Sequence, residues 1–324
     1  MSEEMIVNGS NGAEKQPRQV MTRAKKRLIF YTLMMAWPII QFLIFYVYLN
    51  FSSILLAFQD YSIDYGGGGY IIKYTFDNFS KAWDTFTSSG WMIRNSSRMF
   101  LISVLVSMNL AIIFSFYIYK KCPGGELFRV ILFLPHVVSG VVYVILFKYM
   151  ATDVYLAVVE KLTGSRPIRG LLDDPNTSLG VVIFYTVWHS FGSNVLMYCG
   201  TMSGIDESLV ESAQLDGANV IQEFIYITFP FIYRTYITFL VVGLSGILTN
   251  SMNLFTFFGT EAGYRATIGY DMYINTLRSD VIAPNAKYLS YPVISAYGLI
   301  LTVIVSPLTI LMKKFFEKIG PSAS

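Results

Sequence analysis

The amino-acid sequence predicts an all-α, polytopic membrane protein with six transmembrane helices and both termini on the cytoplasmic side. The first observation is composition: of 324 residues, 54% are hydrophobic and 14% are charged, against roughly 25% charged in a soluble domain. The others are six long apolar stretches and the basic clusters beside them. The 24 basic and 21 acidic residues are too balanced for a nucleic-acid-binding protein. Two cysteines exclude a disulfide-stapled secreted domain.

The six apolar stretches are each close to the ~20 helical residues that a bilayer core requires. They cover residues 28–58, 99–119, 130–147, 175–205, 235–260 and 288–312, and none contains Asp, Glu, Lys or Arg. A soluble core could not bury all six, so we interpret them as membrane spans. The first is too long for the apolar region of a signal peptide, and no small-residue cleavage site follows it, so we expect it to be retained.

Basic clusters at the ends of three spans indicate the orientation, because Lys and Arg near helix ends favour the cytoplasmic side. They precede the first span and follow the second and the sixth: Arg23, Lys25, Lys26, Arg27; Lys120, Lys121; Lys313, Lys314, Lys318. We therefore predict a cytoplasmic tail at 1–27, the first transmembrane helix at 28–58, an extracytoplasmic loop at 59–98 and a second cytoplasmic tail at 315–324.

The connection between the fourth and fifth stretches, residues 203–234, is acidic. It contains five carboxylates and one base: Asp206, Glu207, Glu211, Asp216 and Glu223, with Arg234. A loop that faces an anionic inner leaflet is usually basic. An acidic loop indicates a protein partner, although an amphipathic hairpin lying on lipid fits the residues equally well.

Two short helices joined by a glycine turn are predicted in this loop. Asp206 and Ser208 are suitable N-caps, and Ser208 to Glu211 has the sequence of a capping box. Gly217 fits the left-handed position that ends a helix. Asn219 can cap the second helix, with Gln222 three residues later. Pro230 is expected to break or kink the chain before the fifth span.

The spacing Glu211-Ser212-Ala213-x3-Gly217-x9-Ile227-x-Phe229-Pro230 resembles the EAA loop of importer permeases of the ATP-binding-cassette (ABC) class, whose pattern is E-A-A-x3-G-x9-I-x-L-P. Ser212 replaces an alanine and Phe229 a leucine. The flanking residues Leu215 to Ala218 resemble the carbohydrate, maltose-type branch. The resemblance implies that residues 99–314 form the core permease domain of the ABC transmembrane type 1 family.

The resemblance also implies a role for the loop. In the family, its first short helix is a coupling helix that sits in a cleft of a cytoplasmic ATPase. The residues implied to contact or orient that ATPase are Glu207, Leu209, Val210, Glu211, Ser212, Ala213, Asp216 and Gly217. The chain has no G-x-x-x-x-G-K-[ST] sequence, so we expect it not to be an enzyme. ATP and Mg would be bound by the partner ATPase subunits, and the chain itself would hold no cofactor.

The implied assembly is a multi-pass permease of the cytoplasmic (inner) membrane of a bacterium or archaeon. Its partners would be a second EAA-type permease in a heterodimer, two ATPase subunits, an extracytoplasmic solute-binding protein and membrane lipid. The implied function is ATP-driven import of a carbohydrate, an oligosaccharide rather than a monosaccharide. An importer for a non-sugar solute and a membrane receptor or scaffold that docks a cytoplasmic protein through the acidic loop remain alternatives.

Two groups of polar residues inside the spans are candidates for the substrate pathway, because polar groups in membrane helices usually face the bundle interior. The fourth span carries Tyr185, Thr186, His189, Ser190, Ser193 and Asn194. In the fifth, a continuous helix would place Gly243, Gly246 and Asn250 on one face, with Asn253 one turn further. Small residues and amides suit a sugar, but they equally suit packing and hydrogen bonding between helices.

No catalytic or metal site is predicted. The two histidines, His136 and His189, lie in different spans without a cysteine or carboxylate at ligand spacing. An intramembrane enzyme is therefore the least supported class.

Overall fold

The computed structural model describes residues 23–64, 69–279 and 289–321. The remaining residues of the two predicted tails, 1–22 and 322–324, lie outside this range. Within it, six helices are long and apolar enough to cross a membrane: Arg23–Ala57, Gly90–Tyr119, Gly140–Thr163, Ser178–Met202, Val220–Ser245 and Tyr291–Ile319. The predicted all-α, six-span fold class is confirmed, whereas the placement of the termini on the cytoplasmic side stays a prediction.

The chain divides into two compact units, Met1–Ser53 and Ile54–Ser324. The described part of the first unit is helical, comprising α1 (Arg23–Phe42), a π-helical turn (Leu43–Tyr48) and the beginning of α2 (Leu49–Ala57). These elements follow one another without interruption. The helix begins at Arg23, five residues before the predicted 28–58 segment. Pro38 lies inside α1.

A small hairpin and a helix connect the first two spans. The antiparallel strands β1 (Gln59–Asp64) and β2 (Gly69–Tyr74) pair Gln59 with Tyr74, and α3 (Asp77–Ser88) follows. Asn78 is buried and donates from Nδ2 to the backbone carbonyls of Ala57 and Gln59, at 3.1 and 2.8 Å. This amide therefore fixes α3 to the end of α2. The second span, α4 (Gly90–Tyr119), begins well before the predicted residue 99.

The third predicted span, 130–147, is divided between two helices. The structure has α5 (Gly125–Val137) and α6 (Gly140–Tyr149), separated by Val138 in an extended conformation. A π-helical turn (Met150–Val154) and α7 (Tyr155–Thr163) continue α6. Pro135 lies inside α5, three residues before Val138, and Gly140 is the first residue of α6. Hydropathy alone did not reveal this break because both sides are apolar.

The fourth span, α8 (Ser178–Met202), packs along α4 through small side chains. Ser103, Ser107, Ala111 and Ser115 recur at every fourth position of α4, and all four are buried. Ser115 Oγ donates to the carbonyl of Val195 at 3.0 Å. Small residues at this spacing let two membrane helices approach closely.

The fifth predicted span, 235–260, is displaced in the structure. After α9 (Glu207–Leu215), the chain is helical from α10 (Val220–Glu223) through a π-helical turn (Phe224–Thr228) to α11 (Phe229–Ser245). Pro230 lies in the first turn of α11, directly after the π-helical turn, and the helix continues through it, so the expected break does not occur. Gly246 caps α11, and the following residues form turns before α12 (Leu254–Phe258).

The remainder of the chain completes the bundle. A 3-10 turn (Gly263–Arg265) leads to α13 (Ile268–Arg278), and α14 (Tyr291–Ile319) is the sixth span. Phe86 of α3 contacts Tyr297 of α14, with ring centroids 6.4 Å apart.

We predict that Gly192→Ala destabilises the protein. A Cβ at Gly192 in α8 would overlap the backbone carbonyl of Leu132 in α5, so the two helices would have to separate. Overpacking of this kind costs ~1–3 kcal/mol. The melting temperature in detergent micelles measures the effect.

Gly180→Ala is the matched control, because it lies in the same helix and its Cβ would meet nothing within 4 Å. Alanine favours a helix over glycine by up to about 1 kcal/mol, so this variant should keep or raise the melting temperature. Equal melting temperatures for the two variants would show that α5 and α8 are not in close contact at Gly192.

Candidate functional site

The first helix of the acidic loop is held by a side-chain cap. Asp206 Oδ1 accepts a hydrogen bond from the backbone amide of Ser208 at 3.0 Å, so Asp206 is the N-cap of α9. The capping box that we predicted at Ser208 is therefore not formed, because the helix already begins at Glu207. The second predicted cap is confirmed. Asn219 and Gln222 exchange both bonds of a capping box, at 2.9 and 2.8 Å.

Gly217 forms the turn between the two helices in the left-handed conformation, with φ +84°. Its amide donates to the carbonyl of Gln214 at 3.1 Å, and the amide of Ala218 donates to that of Ala213 at 2.9 Å. These bonds satisfy the last carbonyls of α9. The predicted helix–glycine–helix arrangement of the loop is confirmed.

One face of α9 is exposed and combines carboxylates with apolar side chains. Val210 is buried and packs in a cluster with Ile118, Met202 and Ile232. Leu209, by contrast, is exposed. Most of the predicted ATPase-contact residues are exposed: Glu207, Leu209, Glu211, Ser212, Asp216 and Gly217. Ala213 is half-buried.

Leu215, at the end of α9, was not among the predicted residues, yet 89% of it is exposed. Sequence alone gave no signal for this, because an apolar residue at a helical spacing is equally compatible with burial. Leu209 and Leu215 are therefore both exposed on a short helix that also carries exposed carboxylates.

A buried ion pair joins the loop to the end of α4. Both carboxylate oxygens of Glu223 accept from Lys120 Nζ, at 2.9 and 2.8 Å, and Gln214 Nε2 is 3.5 Å from Oε2. The side chain of Glu223 is 2% exposed and that of Lys120 23%. Sequence reasoning identified Glu223 only as one acid of the loop, because its partner lies 103 residues away.

The polar band of α8 is engaged within the bundle. Thr186, Ser190 and Ser193 donate their hydroxyls to carbonyls of their own helix. Asn194 Nδ2 contacts Ser107 Oγ of α4 at 3.5 Å. Of these four residues, Asn194 makes the interhelical contact of the helix-packing alternative, while the three hydroxyls bond within α8, and a part in a substrate pathway stays a prediction for all four.

Tyr185 belongs to an aromatic cluster at the opposite end of α8 from the acidic loop. Its ring lies 5.0 Å from that of Phe257, 5.7 Å from that of Tyr143 and 5.7 Å from that of His189. Tyr185 is fully buried, and its hydroxyl has no hydrogen-bond partner in the described part of the chain. An unsatisfied buried hydroxyl is costly and requires an explanation.

The predicted face of Gly243, Gly246, Asn250 and Asn253 is not formed, because α11 ends at Ser245. Asn250 instead accepts from the amide of Met252 at 2.8 Å, and Asn253 is left-handed with φ +56°. A Cβ at Gly243 would contact Phe100 of α4 at 3.4 Å. The shared helical face was therefore wrong, and a substrate role for each residue stays a prediction.

No group of three or more His, Cys, Asp and Glu residues that could hold a metal ion occurs in the described ranges. His189 packs against the rings of Tyr143 and Tyr185. The side chain of His136 lies outside what the structure describes.

Comparison with solved structures identifies the fold. A bacterial ABC transporter involved in the import of the acidic polysaccharide alginate superposes with a TM-score of 0.72 and 22% identity, covering 91% of this chain and 98% of the other. The same transporter type, in complex with a periplasmic protein that holds an alginate pentasaccharide, gives a TM-score of 0.71. The chain has the fold of an ABC importer permease.

Several curated relatives of the chain are sugar permeases. The arabinooligosaccharide permease protein AraP of Halalkalibacterium halodurans is 24% identical over 82% of this chain and 84% of its own. The maltose/maltodextrin permease protein MalF of Vibrio vulnificus is 24% identical over 51% of this chain, which spans only 33% of that protein. The lactose permease protein LacF of Rhizobium radiobacter is 27% identical over 66% of this chain and 73% of its own. No family model matches the chain.

These relatives confirm the resemblance to carbohydrate permeases of ABC importers, and with the six apolar helices they make the chain a multi-pass inner-membrane protein.

We predict that Gly217→Val weakens the turn of the loop. A Cβ at Gly217 would meet nothing within 4 Å, so the effect is conformational alone. A left-handed residue other than glycine costs ~1–2 kcal/mol, which corresponds to roughly tenfold faster hydrogen exchange of the α9 amides. Asparagine tolerates this conformation, so Gly217→Asn should exchange at nearly the wild-type rate. Equal rates for all three proteins would contradict the assigned turn.

Proposed function

We propose that this chain is the translocation subunit of an ABC importer that takes up a carbohydrate, an oligosaccharide delivered by a solute-binding protein. The observation that carries the proposal is the exposed, acidic face of α9 on a bundle with the permease fold. A bundle that only bound solute would have no need of such a surface. A loop that transmits work from another protein does need one.

The substrate class is supported by the relatives. Their names specify arabinooligosaccharides, maltose or maltodextrin, and lactose, and the solved neighbour imports alginate. All are carbohydrates and most are oligomers. The polar band of α8 and the amides of Asn250 and Asn253 offer the hydroxyl and amide groups that bind sugars.

In the proposed mechanism, α9 is the coupling helix. The carboxylates of Glu207, Glu211 and Asp216 set its orientation in a cleft of a cytoplasmic ATPase, while Leu209 supplies apolar contact. Val210 anchors α9 to the bundle instead of contacting the partner. ATP and Mg are bound by the ATPase subunits, and this chain moves in response.

The proposed assembly contains this chain, a second permease of the same type, two ATPase subunits and the solute-binding protein. The loop and both termini would face the cytoplasm, and the hairpin of β1 and β2 would lie on the opposite side. Purification of the tagged chain from its own membranes in mild detergent, with mass identification of every co-purifying protein, tests this assembly. We expect a P-loop ATPase and a second permease.

Uptake into proteoliposomes tests the function of the purified complex. Labelled arabinooligosaccharides, maltodextrins and lactose are supplied with the co-purified binding protein, and accumulation should require enclosed ATP. Recovery of the folded chain with a signalling protein and no ATPase, even after crosslinking, would support a receptor or scaffold instead. Uptake of a non-sugar solute alone would contradict the carbohydrate assignment.

We predict that Glu211→Lys abolishes ATP-driven uptake without preventing membrane insertion. Glu211 is exposed and forms no ion pair among the described residues, and the substitution places a positive charge where the ATPase would meet a carboxylate. Uptake and ATPase recovery in the pull-down measure the effect. Glu317→Lys reverses another exposed carboxylate, at the end of α14, and should leave both unchanged. Wild-type uptake by Glu211→Lys would show that this face does not carry the coupling.

We predict that Tyr185→Phe reduces uptake without lowering stability. The variant removes only a buried hydroxyl that has no partner among the described residues, so the melting temperature should stay equal or rise. If the hydroxyl lies in the substrate pathway, the KM for uptake should increase. Tyr198→Phe is the matched control, because it removes another buried, unpartnered hydroxyl of α8. Identical uptake by both variants would remove Tyr185 from the proposed pathway.

A further inference from the structure

The Lys120–Glu223 pair is the one nearly buried ion pair in the described part of the chain. The other two, Arg166–Glu160 and Lys313–Glu317, are both 3.8 Å apart with side chains at least half exposed. A carboxylate that is 2% exposed is held in place because separating it from its cation would leave a desolvated charge. The pair is therefore a rigid connection, whereas an exposed pair exchanges readily with water.

This connection joins three elements at one point. Lys120 directly follows the last residue of α4, Glu223 ends α10, and Gln214 lies in the last turn of α9. Beside the charges, Phe116 of α4 packs edge-on against Phe224 at 5.0 Å. The loop therefore contacts the end of α4 through both an ion pair and an aromatic pair.

The contacts continue from α4 into α8. Ser115 Oγ donates to the carbonyl of Val195, Cys199 Sγ lies 3.7 Å from the carbonyl of Ser115, and Asn194 contacts Ser107. A displacement of the loop that carried α4 with it would therefore also act on α8, the helix that bears the polar band.

We infer that the Lys120–Glu223 pair, with Gln214, is the connection through which movement of the coupling helix displaces the second span. Glu223 is a positioning residue: it contacts neither sugar nor ATP and acts through Lys120. The inference rests on the proposed function and adds to it the route by which ATP-driven movement of α9 reaches the bundle. Without the charge pair, the loop would keep its apolar contacts with α4, and less of the movement of α9 would reach α4.

The test uses the complete transporter, reconstituted with its ATPases, second permease and binding protein. The labelled oligosaccharide that the wild-type complex accumulates is the probe, and the quantity measured is sugar transported per ATP hydrolysed. Glu223→Gln keeps the shape and a hydrogen bond to Lys120, and Lys120→Met keeps the aliphatic stem. We expect each to lower the ratio about fivefold or more, as for an ordinary coupling energy, while ATP hydrolysis persists.

Lys313→Met and Glu317→Gln are the matched controls, because they remove the same charges from an exposed pair. Their ratio should equal that of the wild type. The double variant Lys120→Glu with Glu223→Lys restores an ion pair with the charges exchanged. Its ratio should be higher than that of Lys120→Glu alone or Glu223→Lys alone. This recovery would separate the pair from a mere requirement for a carboxylate at position 223.

Two results would overturn the inference. One is an unchanged ratio in both Glu223→Gln and Lys120→Met. The other is a parallel loss of uptake and hydrolysis that follows the amount of assembled complex, because the pair would then serve folding alone. Both differ from failure of the proposed function, in which the wild-type complex itself would accumulate no oligosaccharide.

Discussion

The close approach of α4 and α8 is the contact on which the rest of the bundle depends. In a bilayer, apolar side chains gain little by leaving lipid for protein, so helices associate where backbones can come near each other. Ser103, Ser107, Ala111 and Ser115 provide that surface on α4, and Gly192 lets α5 approach α8 from another direction. The acidic loop is attached to this packed unit at Lys120 and Val210, which gives a moving loop a stiff body to act upon.

The number of spans and the caps of the loop were predictable because their signals are local. A charge-free run of twenty residues, an N-cap aspartate and a glycine after a helix each act within a few positions. The two errors in the spans share one cause. Residues 246–258 contain no charged residue, and the break at Val138 lies within an apolar run. Hydropathy registers solvent preference, whereas a helix end is decided by capping and by packing.

For the candidate site, the sequence predicted the position of the loop along the chain but not which of its residues are buried. The spacing around Glu211 located the loop, but it did not show that Val210 is buried while Leu209 and Leu215 are exposed. Burial on a short helix depends on which neighbour covers it, here Ile118, Met202 and Ile232. The Lys120–Glu223 pair was even harder to predict from the sequence. Each residue has the sequence context of an ordinary charge at a membrane surface, and their contact is visible only in the fold.

The two sides of α9 therefore carry opposite physical characters. Val210 packs α9 against the bundle, and a desolvated ion pair holds the adjoining α10. Both contacts resist small displacements. The exposed surface of α9 carries carboxylates, which water solvates, and an almost fully exposed leucine, whose apolar surface gains free energy when another protein covers it. An element that is held rigidly to its own chain is suited to passing a force inward.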